Sequence, residues 1–391
     1  MANARARARG FTDGVFVRLL DPHTWRPLRQ HRMLDGESVL ALRPIILKCS
    51  SGAGRGADPF VAAATAMAHG EDFAVYGRIV LLSVVKKPNP TPEEALLGRV
   101  WDFKVAFSQQ FRGAVTDVQE SRGQLVACVG SRIEVMAWSG TTLVRRLFLD
   151  RQDMVGLSLK SRDNLLVVAD AVRGVRVVEY DEEGDRLNQL GVAVGRMQAH
   201  AVELLSAGDG TDGGVAHTQT VAVSDSSGLL HILSRHPGYE WSGQQMRLEG
   251  SVFLGTVLER LVPLPLPSAS TVVQPNAILG VALDGSIHFL TALAPQVAQG
   301  IRALLRRAAT ALPQNAGLHP LAFRATRTVP GAPVSRPGFA LEGAPGPDSV
   351  LDGDLLRRVA ILPAREQAAL APGVQVEQAC VDLMQAWTAV L

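Results

Sequence analysis

One hairpin unit recurs four times in this sequence: an apolar segment, a short turn that contains a glycine, and a second apolar segment. The turn glycines are separated by 44, 54 and 57 residues, and the units show no helical periodicity. A spacing of about 40–50 residues built only from strands is typical of a β-propeller. The four units are LVACVGSRIEVMAW (125–138), LLVVADAVRGVRVVEY (165–180), TVAVSDSSGLLHIL (220–233) and ILGVALDGSIHFL (278–290), with turn glycines Gly130, Gly174, Gly228 and Gly285.

Apolar residues two positions apart place both members of a pair on one face of each strand. The pairs are Ile133 and Val135, Val175 and Val177, Leu230 and Ile232, and Ile287 and Phe289. Segments 60–68 and 76–85 predict an earlier hairpin, and Gly77, 53 residues before Gly130, extends the period backward. Segments 206–217 and 263–276 are expected to be loop insertions. We therefore predict a mainly β fold, a WD40- or YVTN-like propeller with seven blades over 11–293. We expect the contacts that close its ring to involve polypeptide outside this sequence.

The hydrophobic period changes after Leu293. The spacing predicts a helix over 295–313, and further helices over 350–371 and 374–391. We therefore predict an α-helical C-terminal domain over 294–391, interrupted by a disordered Gly/Pro/Ala-rich loop over 328–349. The residues of the first helical stripe are Val297, Ile301, Leu304, Leu305, Ala308 and Leu312.

Charge and cysteine content narrow the functional classes. The net charge is +2 with 19% charged residues, so the overall charge does not indicate a nucleic-acid-binding protein. A basic patch on one part of the surface is still compatible with this composition. The basic start, residues 1–10, predicts a disordered tail and lacks the apolar core of a secretory signal. Three widely spaced cysteines, Cys49, Cys128 and Cys380, form neither a disulfide framework nor a metal site and fit a reducing compartment. No apolar run reaches the roughly 18–20 residues of a membrane span, so no membrane partner is expected.

The usual catalytic and cofactor motifs are absent from the sequence, so we expect no enzyme activity, no cofactor and no small-molecule substrate. His200 and His217 flank a loop, but no third ligand is spaced for a metal. The run 181–185 predicts a charged hairpin turn rather than a calcium loop. Asp352 and Asp354 stand before an apolar helix and are expected to cap it. Arg302, Arg306 and Arg307 form a basic helix face that could contact RNA phosphate or an acidic partner, with a solvated face as the alternative.

Two elements of the C-terminal part resemble a known family. ALPQNAGLHPLAFRATRT (311–328) and VLDGDLLRRV (350–359) are similar to the C-terminal elements of the large, 160 kDa-type subunit of the cleavage and polyadenylation specificity factor, where an AGLNP-like element precedes AFR and later LDG-[DE]-LL. His319 replaces the usual Asn. VRLLDPHTW (17–25), GRIVLLSVV (77–85) and FRGAVTDV (111–118) extend the resemblance along the propeller. The matching residues are Ala316, Gly317, Leu318, Pro320, Phe323, Arg324, Leu351, Asp352 and Gly353.

The resemblance implies a nuclear, non-enzymatic scaffold in pre-mRNA 3′-end processing. It implies as partners the zinc-finger and WD-repeat subunits of the same factor, with pre-mRNA bound directly or through them. The chain corresponds only to the last propeller and the helical tail of that family. The alternative within the wider superfamily is a propeller adaptor of a ubiquitin-ligase and DNA-damage complex or of a splicing complex. A direct RNA-binding module is a further hypothesis, and low aromatic content, 5%, speaks against it.

Overall fold

The chain forms two compact units, one of residues 1–166 with 179–188 and one of residues 167–178 with 189–391. The expected disordered segments 1–10 and 328–349 and the helical stretch 374–391 lie outside the described residues. The computed structural model describes residues 14–50, 56–67, 70, 74–88, 90, 100–193, 197–207, 219–235, 245–265, 273–293, 295–313 and 350–370.

The first unit is built from antiparallel sheets. β1 and β2 form a hairpin, while β3–β6 and β7–β10 form two four-stranded sheets in chain order. The strands are β1 Phe16–Leu20, β2 Pro27–Arg32, β3 Glu37–Lys48, β4 Ala57–Met67, β5 Tyr76–Lys86, β6 Trp101–Arg112, β7 Val115–Ser121, β8 Gln124–Val129, β9 Arg132–Trp138, β10 Leu143–Asp150 and β11 Gly156–Arg162.

In its described residues, the second unit combines strands with three helices. Three further strands, β12 Leu165–Asp170, β13 Gly174–Asp181 and β14 Arg186–Ala193, contribute residues to both units. The remaining strands are β15 Ala199–Ala207, β16 Gln219–Asp225, β17 Leu229–Arg235, β18 Gln245–Phe253, β19 Leu258–Pro265, β20 Val273–Ala282 and β21 Ile287–Leu293. The strands β15–β18 form a meander whose last strand runs parallel to β14 through Val192–Gln245 and Ala193–Met246.

The recurring hairpins are the sequence-adjacent strand pairs β8–β9, β12–β13, β16–β17 and β20–β21. Their turn glycines have φ angles of 58° to 89°, a range that residues other than glycine rarely adopt. Repeated antiparallel meanders of this kind confirm the mainly β, propeller-like fold. Within the described ranges, β1–β2 has two strands and β19–β21 has three, so the count of seven blades stays a prediction.

The central strands are buried on both faces, which the alternating pattern did not predict. All six residues of β8 are buried. In β9, Glu134 and Met136 on one face are buried, and so are Ile133 and Val135 on the other. Strands covered on both faces need no polar face. The last hairpin differs, because Ile287, which alternation places on the same face as Phe289, is 51% exposed.

The predicted earlier hairpin forms between β4 and β5, but Gly77 does not lie in its turn as the other four glycines do in theirs. It lies inside β5, opposite Phe111 of β6. A Cβ there would stand 2.5 Å from the Val115 nitrogen and 2.6 Å from the Thr65 oxygen. The position therefore requires glycine for a close approach of backbones rather than for a turn.

The expected loop over 263–276 is strand at both ends. Pro263 pairs with Ile278, and Pro265 pairs with Asn276, in the β19–β20 ladder. β19 is at the end of the order β19-β20-β21, and a strand with one neighbour tolerates prolines because one row of its N–H groups has no ladder partner.

The helical stripe after Leu293 is confirmed. The helices are α1 Pro295–Ala311, α2 Gly353–Ile361 and α3 Ala364–Leu370. Ile301, Leu304, Leu305, Ala308 and Leu312 of the stripe are buried in one cluster with Leu355, Leu356 and Val359 of α2. None of the helices in the described part of the chain is long and apolar enough to cross a membrane.

Candidate functional site

The arrangement closest to a catalytic constellation is a buried Asp–His–Ser chain in the second unit. Ser251 Oγ lies 3.0 Å from His231 Nδ1, and His231 Nε2 lies 3.3 Å from Asp225 Oδ2. The same carboxylate accepts from the Ser227 and Leu229 amides at 3.0 and 2.9 Å. Burial raises the pKa of Asp225, but the hydrogen bonds from His231 and the turn amides outweigh it and lower the pKa. The group therefore clamps the β16–β17 turn, because its acceptor positions are occupied by that turn.

In two other hairpins an aspartate also accepts a hydrogen bond from a turn amide. These bonds were not predicted from the sequence. Asp170 accepts from the Val172 amide at 2.9 Å and from Arg176 Nε at 2.9 Å. Asp284 accepts from the Ser286 amide at 2.9 Å. An aspartate bonded two residues ahead makes an Asx turn that presets the hairpin. A basic residue six positions after the aspartate, as in Arg176 and His231, is the signal that could have revealed it.

Asp117 ties three strands of the first unit together. Its carboxylate accepts two hydrogen bonds from Arg43 of β3, at 3.1 and 3.0 Å, and one from the Leu159 amide of β11 at 3.0 Å. Asp117 is 1% exposed. Because its two oxygens accept hydrogen bonds from both neighbouring strands, this buried carboxylate holds separate sheets in a fixed register.

Asp181 anchors the charged hairpin turn that was predicted for the run 181–185. Its Oδ1 accepts from the Gly184 amide at 2.9 Å and its Oδ2 pairs with Arg186 at 3.1 Å. The Gly184 amide and Arg186 lower the pKa of the Asp181 carboxyl. A cleft of about 520 Å³ lies beside this turn, and Arg122, Asn164 and Tyr180 also line it.

Of the two histidines considered for a metal site, the structure describes only His200. His200 Nε2 lies 3.0 Å from Glu259 Oε2, and His217 is outside the described residues. Groups of three or more His, Cys, Asp or Glu side chains placed for a metal ion are absent from the described ranges.

The arginines of the predicted basic face differ in environment. Arg306 and Arg307 are exposed and Arg302 is half-buried on α1. Arg307 Nη1 donates to the Leu370 carbonyl at 3.1 Å, so this side chain also ties α1 to α3. The face is therefore partly structural. Whether it contacts RNA or a partner stays a prediction.

The family-matching residues fall into two groups. Ala316, Gly317, Leu318, Pro320, Phe323 and Arg324 lie outside the described residues. Leu351 packs against the helical core, and Asp352 is the N-cap of α2, accepting from the Asp354 amide at 3.0 Å. Gly353 is the first residue of α2. The predicted capping role of Asp352 is confirmed.

An aromatic residue flanked by two arginines lies on β9–β10 of the first unit. The Phe148 ring centroid is 5.7 Å from the guanidinium carbon of Arg132 and 5.2 Å from that of Arg145. Phe148 is 51% exposed. No motif in the sequence pointed to this group, because Arg132 and Phe148 are brought together only by strand pairing.

These antiparallel sheets, held together by buried ion pairs and hydrogen bonds, define a β-propeller-like protein. The model of the CPSF A subunit region family matches residues 15–360, and the chain belongs to that family. The resemblance inferred from the C-terminal elements is thereby confirmed.

Similar proteins carry consistent names. The chain is 26% identical to the cleavage and polyadenylation specificity factor subunit 1 of Arabidopsis thaliana, over 91% of this chain and 23% of that protein. It is 26% identical to protein CFT1 of Yarrowia lipolytica, over 90% of this chain and 26% of that protein. A probable subunit 1 of Caenorhabditis briggsae is 24% identical over 92% of this chain and 24% of its own length. The chain thus spans about a quarter of the length of these relatives.

Proposed function

We propose that this chain is a non-enzymatic scaffold subunit of the nuclear machinery that cleaves and polyadenylates pre-mRNA. The family match over residues 15–360 carries the proposal. The names of the relatives support it, because each is a cleavage and polyadenylation specificity factor subunit 1 or a CFT1 protein.

The physical character of the fold agrees with a scaffold role. Rigid sheets joined by clamps such as Arg43–Asp117 hold loops and strand edges in fixed positions, which is what a platform for other subunits requires. The Asp225–His231–Ser251 chain stabilises a turn, so it gives no support to hydrolytic activity. Function on such a fold belongs to its surfaces.

The partners that we propose are the zinc-finger and WD-repeat subunits of the specificity factor. The test is co-expression of the 391-residue chain, carrying an affinity tag, with these two subunits, followed by affinity purification and size-exclusion chromatography. We expect co-elution of at least one of them, and nuclear localisation of a fluorescent fusion. A well-folded chain that captures neither subunit contradicts the proposal. Capture of ubiquitin-ligase or spliceosomal components instead would favour the adaptor alternative.

Direct contact with RNA phosphate is a second candidate function, favoured by the charge of the helical residues. The described helical segments 295–313 and 350–370 contain six arginines and three acidic residues. The arginines are Arg302, Arg306, Arg307, Arg357, Arg358 and Arg365, and the acidic residues are Asp352, Asp354 and Glu366. The whole chain, by comparison, has a net charge of only +2. We propose that Arg302, Arg306 and Arg307 belong to this phosphate-contacting surface.

The salt dependence of RNA binding tests this second candidate. Log affinity falls linearly with log salt concentration, and for single strands each phosphate contact makes this slope steeper by about 0.7. Arg306→Gln should therefore reduce the slope by up to about 0.7, whereas Arg18→Gln, an exposed arginine of β1, should leave it unchanged. Equal slopes for both variants and the unmodified chain would contradict a phosphate contact at Arg306.

A further inference from the structure

The side chains of Arg132, Phe148 and Arg145, here called the Phe148 platform, form a solvent-facing group on β9–β10. The two arginine side chains are 45% and 53% exposed, and Phe148 is 51% exposed. β10 is the last strand in the order β10-β9-β8-β7, so the platform lies at the end of its sheet.

A strand irregularity puts Arg145 and Phe148 on the same face. Residues three apart in a regular strand point to opposite faces. The register shifts between Arg145 and Leu147, so that Arg145 pairs with Met136 while Phe148 pairs with Glu134. Met136 and Glu134 are two apart and share a face, and the bulge therefore brings both β10 residues to that face.

Acidic neighbours hold the two guanidinium groups in place. Arg132 Nε lies 2.6 Å from Asp150 Oδ2, and Arg145 Nη1 lies 3.7 Å from Glu134 Oε1. Glu134 is 4% exposed, so this anchor belongs to the buried part of the sheet. The platform is organised before any ligand arrives, which lowers the entropy cost of binding.

The charge balance of the platform selects the chemistry of its ligand. Two arginines are matched by two carboxylates, so the platform carries no excess positive charge that would favour an acidic peptide. About half of each of the three side chains, Phe148, Arg132 and Arg145, is nevertheless exposed to solvent. Unpaired nucleobases stack on aromatic rings and guanidinium planes, and stacking needs no net charge.

We propose that the Phe148 platform binds an unpaired base of single-stranded RNA by stacking. This proposal rests on the proposed function in pre-mRNA processing and adds a position and a mode of contact to it. The contact is distinct from phosphate binding by the arginines of α1, because stacking depends weakly on salt.

The test measures binding of a fluorescent single-stranded A/U-rich 20-mer RNA to the 391-residue chain by anisotropy. Loss of one base–aromatic stack costs about 1–3 kcal/mol, so Phe148→Ala should weaken binding by about 5- to 150-fold. The salt slope should be unchanged, and Phe148→Tyr should bind as the unmodified chain does. Val144→Ala is the matched control, because Val144 is 52% exposed on the same strand, and it should have no effect.

A second readout locates the contact. RNA containing 5-iodouridine should crosslink to the peptide that contains Phe148, and Phe148→Ala should abolish that crosslink. Equal affinities of Phe148→Ala and the unmodified chain, or no measurable RNA affinity of the unmodified chain, would overturn the platform proposal. Co-purification with the zinc-finger and WD-repeat subunits is a separate result, so the scaffold function survives a failure here. Conversely, RNA binding through Phe148 without any subunit capture would count against the scaffold function alone.

Discussion

Arg43 and Asp117 are 74 residues apart in sequence and form a two-bond ion pair between β3 and β7. The Nε–Oδ1 distance is 3.1 Å and the Nη2–Oδ2 distance is 3.0 Å. The Asp117 side chain is 2% exposed and that of Arg43 is 19% exposed. Because the same carboxylate also accepts from Leu159, the pair connects consecutive sheets of the first unit at one buried point.

Removal of Asp117 should strongly destabilise the protein. Asp117→Ala leaves Arg43 without its partner and the Leu159 amide without its acceptor, and breaking a buried pair costs about 3–5 kcal/mol. Urea denaturation measures the free energy of unfolding. The control is Glu182→Gln at the exposed Arg122–Glu182 pair, where the change should be about 0–1 kcal/mol. Equal effects of the two substitutions would contradict the clamp role of Asp117.

Stability should fall at acidic pH partly through Glu37. Burial raises the pKa of Glu37, but hydrogen bonds from Arg78, Thr65 and the Leu34 amide outweigh it and lower the pKa below 4.5. A carboxyl with a lowered folded-state pKa contributes stability that is complete above its unfolded pKa and is lost as pH falls through the folded value.

Thermal denaturation between pH 3 and pH 7 checks the role of Glu37. Glu37→Gln should be less stable than the unmodified protein at neutral pH, and the difference should shrink as pH falls below about 4.5. A difference that is constant over this range would show that the charge of Glu37 is not involved.

Gly77 should not tolerate any side chain. Gly77→Ala places a Cβ 2.5 Å from the Val115 nitrogen, so the backbone must move, and such overpacking costs about 1–3 kcal/mol. Gly56→Ala is the matched control, because no atom lies within 4 Å of a Cβ there. We expect a clear loss in urea midpoint for the first variant and almost none for the second. A Gly77→Ala protein as stable as Gly56→Ala would contradict the close approach.

The Leu-Asp-Gly element should act through capping of α2. Asp352→Ala removes the acceptor for the Asp354 amide and should cost about 1 kcal/mol, whereas Asp352→Asn should retain most of the stability. Chemical denaturation distinguishes the two variants. If Asp352→Asn loses as much as Asp352→Ala, the negative charge rather than the cap is what matters.

Local patterns in the sequence were sufficient for the elements formed by neighbouring residues. The hairpin turns at Gly130, Gly174, Gly228 and Gly285, the helix from Pro295, and the cap at Asp352 depend on contacts within a few positions, and the structure has all of them. Local patterns were not sufficient where partners are distant. Gly77 falls in the repeat period by its spacing, but its neighbours Thr65 and Val115 decide its role.

The candidate binding surface shows the same division. The arginines of α1 stand close together in sequence, so they could be named in advance. The Phe148 platform could not, because it depends on the pairing of β9 with β10 and on a register shift at Arg145. Asp150 and Glu134 pair with its two arginines, and strand pairing brings those arginines to the Phe148 ring.

A repeated antiparallel architecture, a helical C-terminal part and the family were all predictable from the sequence, because strand period, turn glycines and short motifs act over a few residues. Contacts between distant residues follow only from the folded sheets: Arg43 with Asp117, the Gly77 backbone with that of Val115, and Phe148 with Arg132 and Arg145. Ion-pair geometry, close packing and ring contacts depend on distances between strands, and the residue pattern along one strand does not specify those distances.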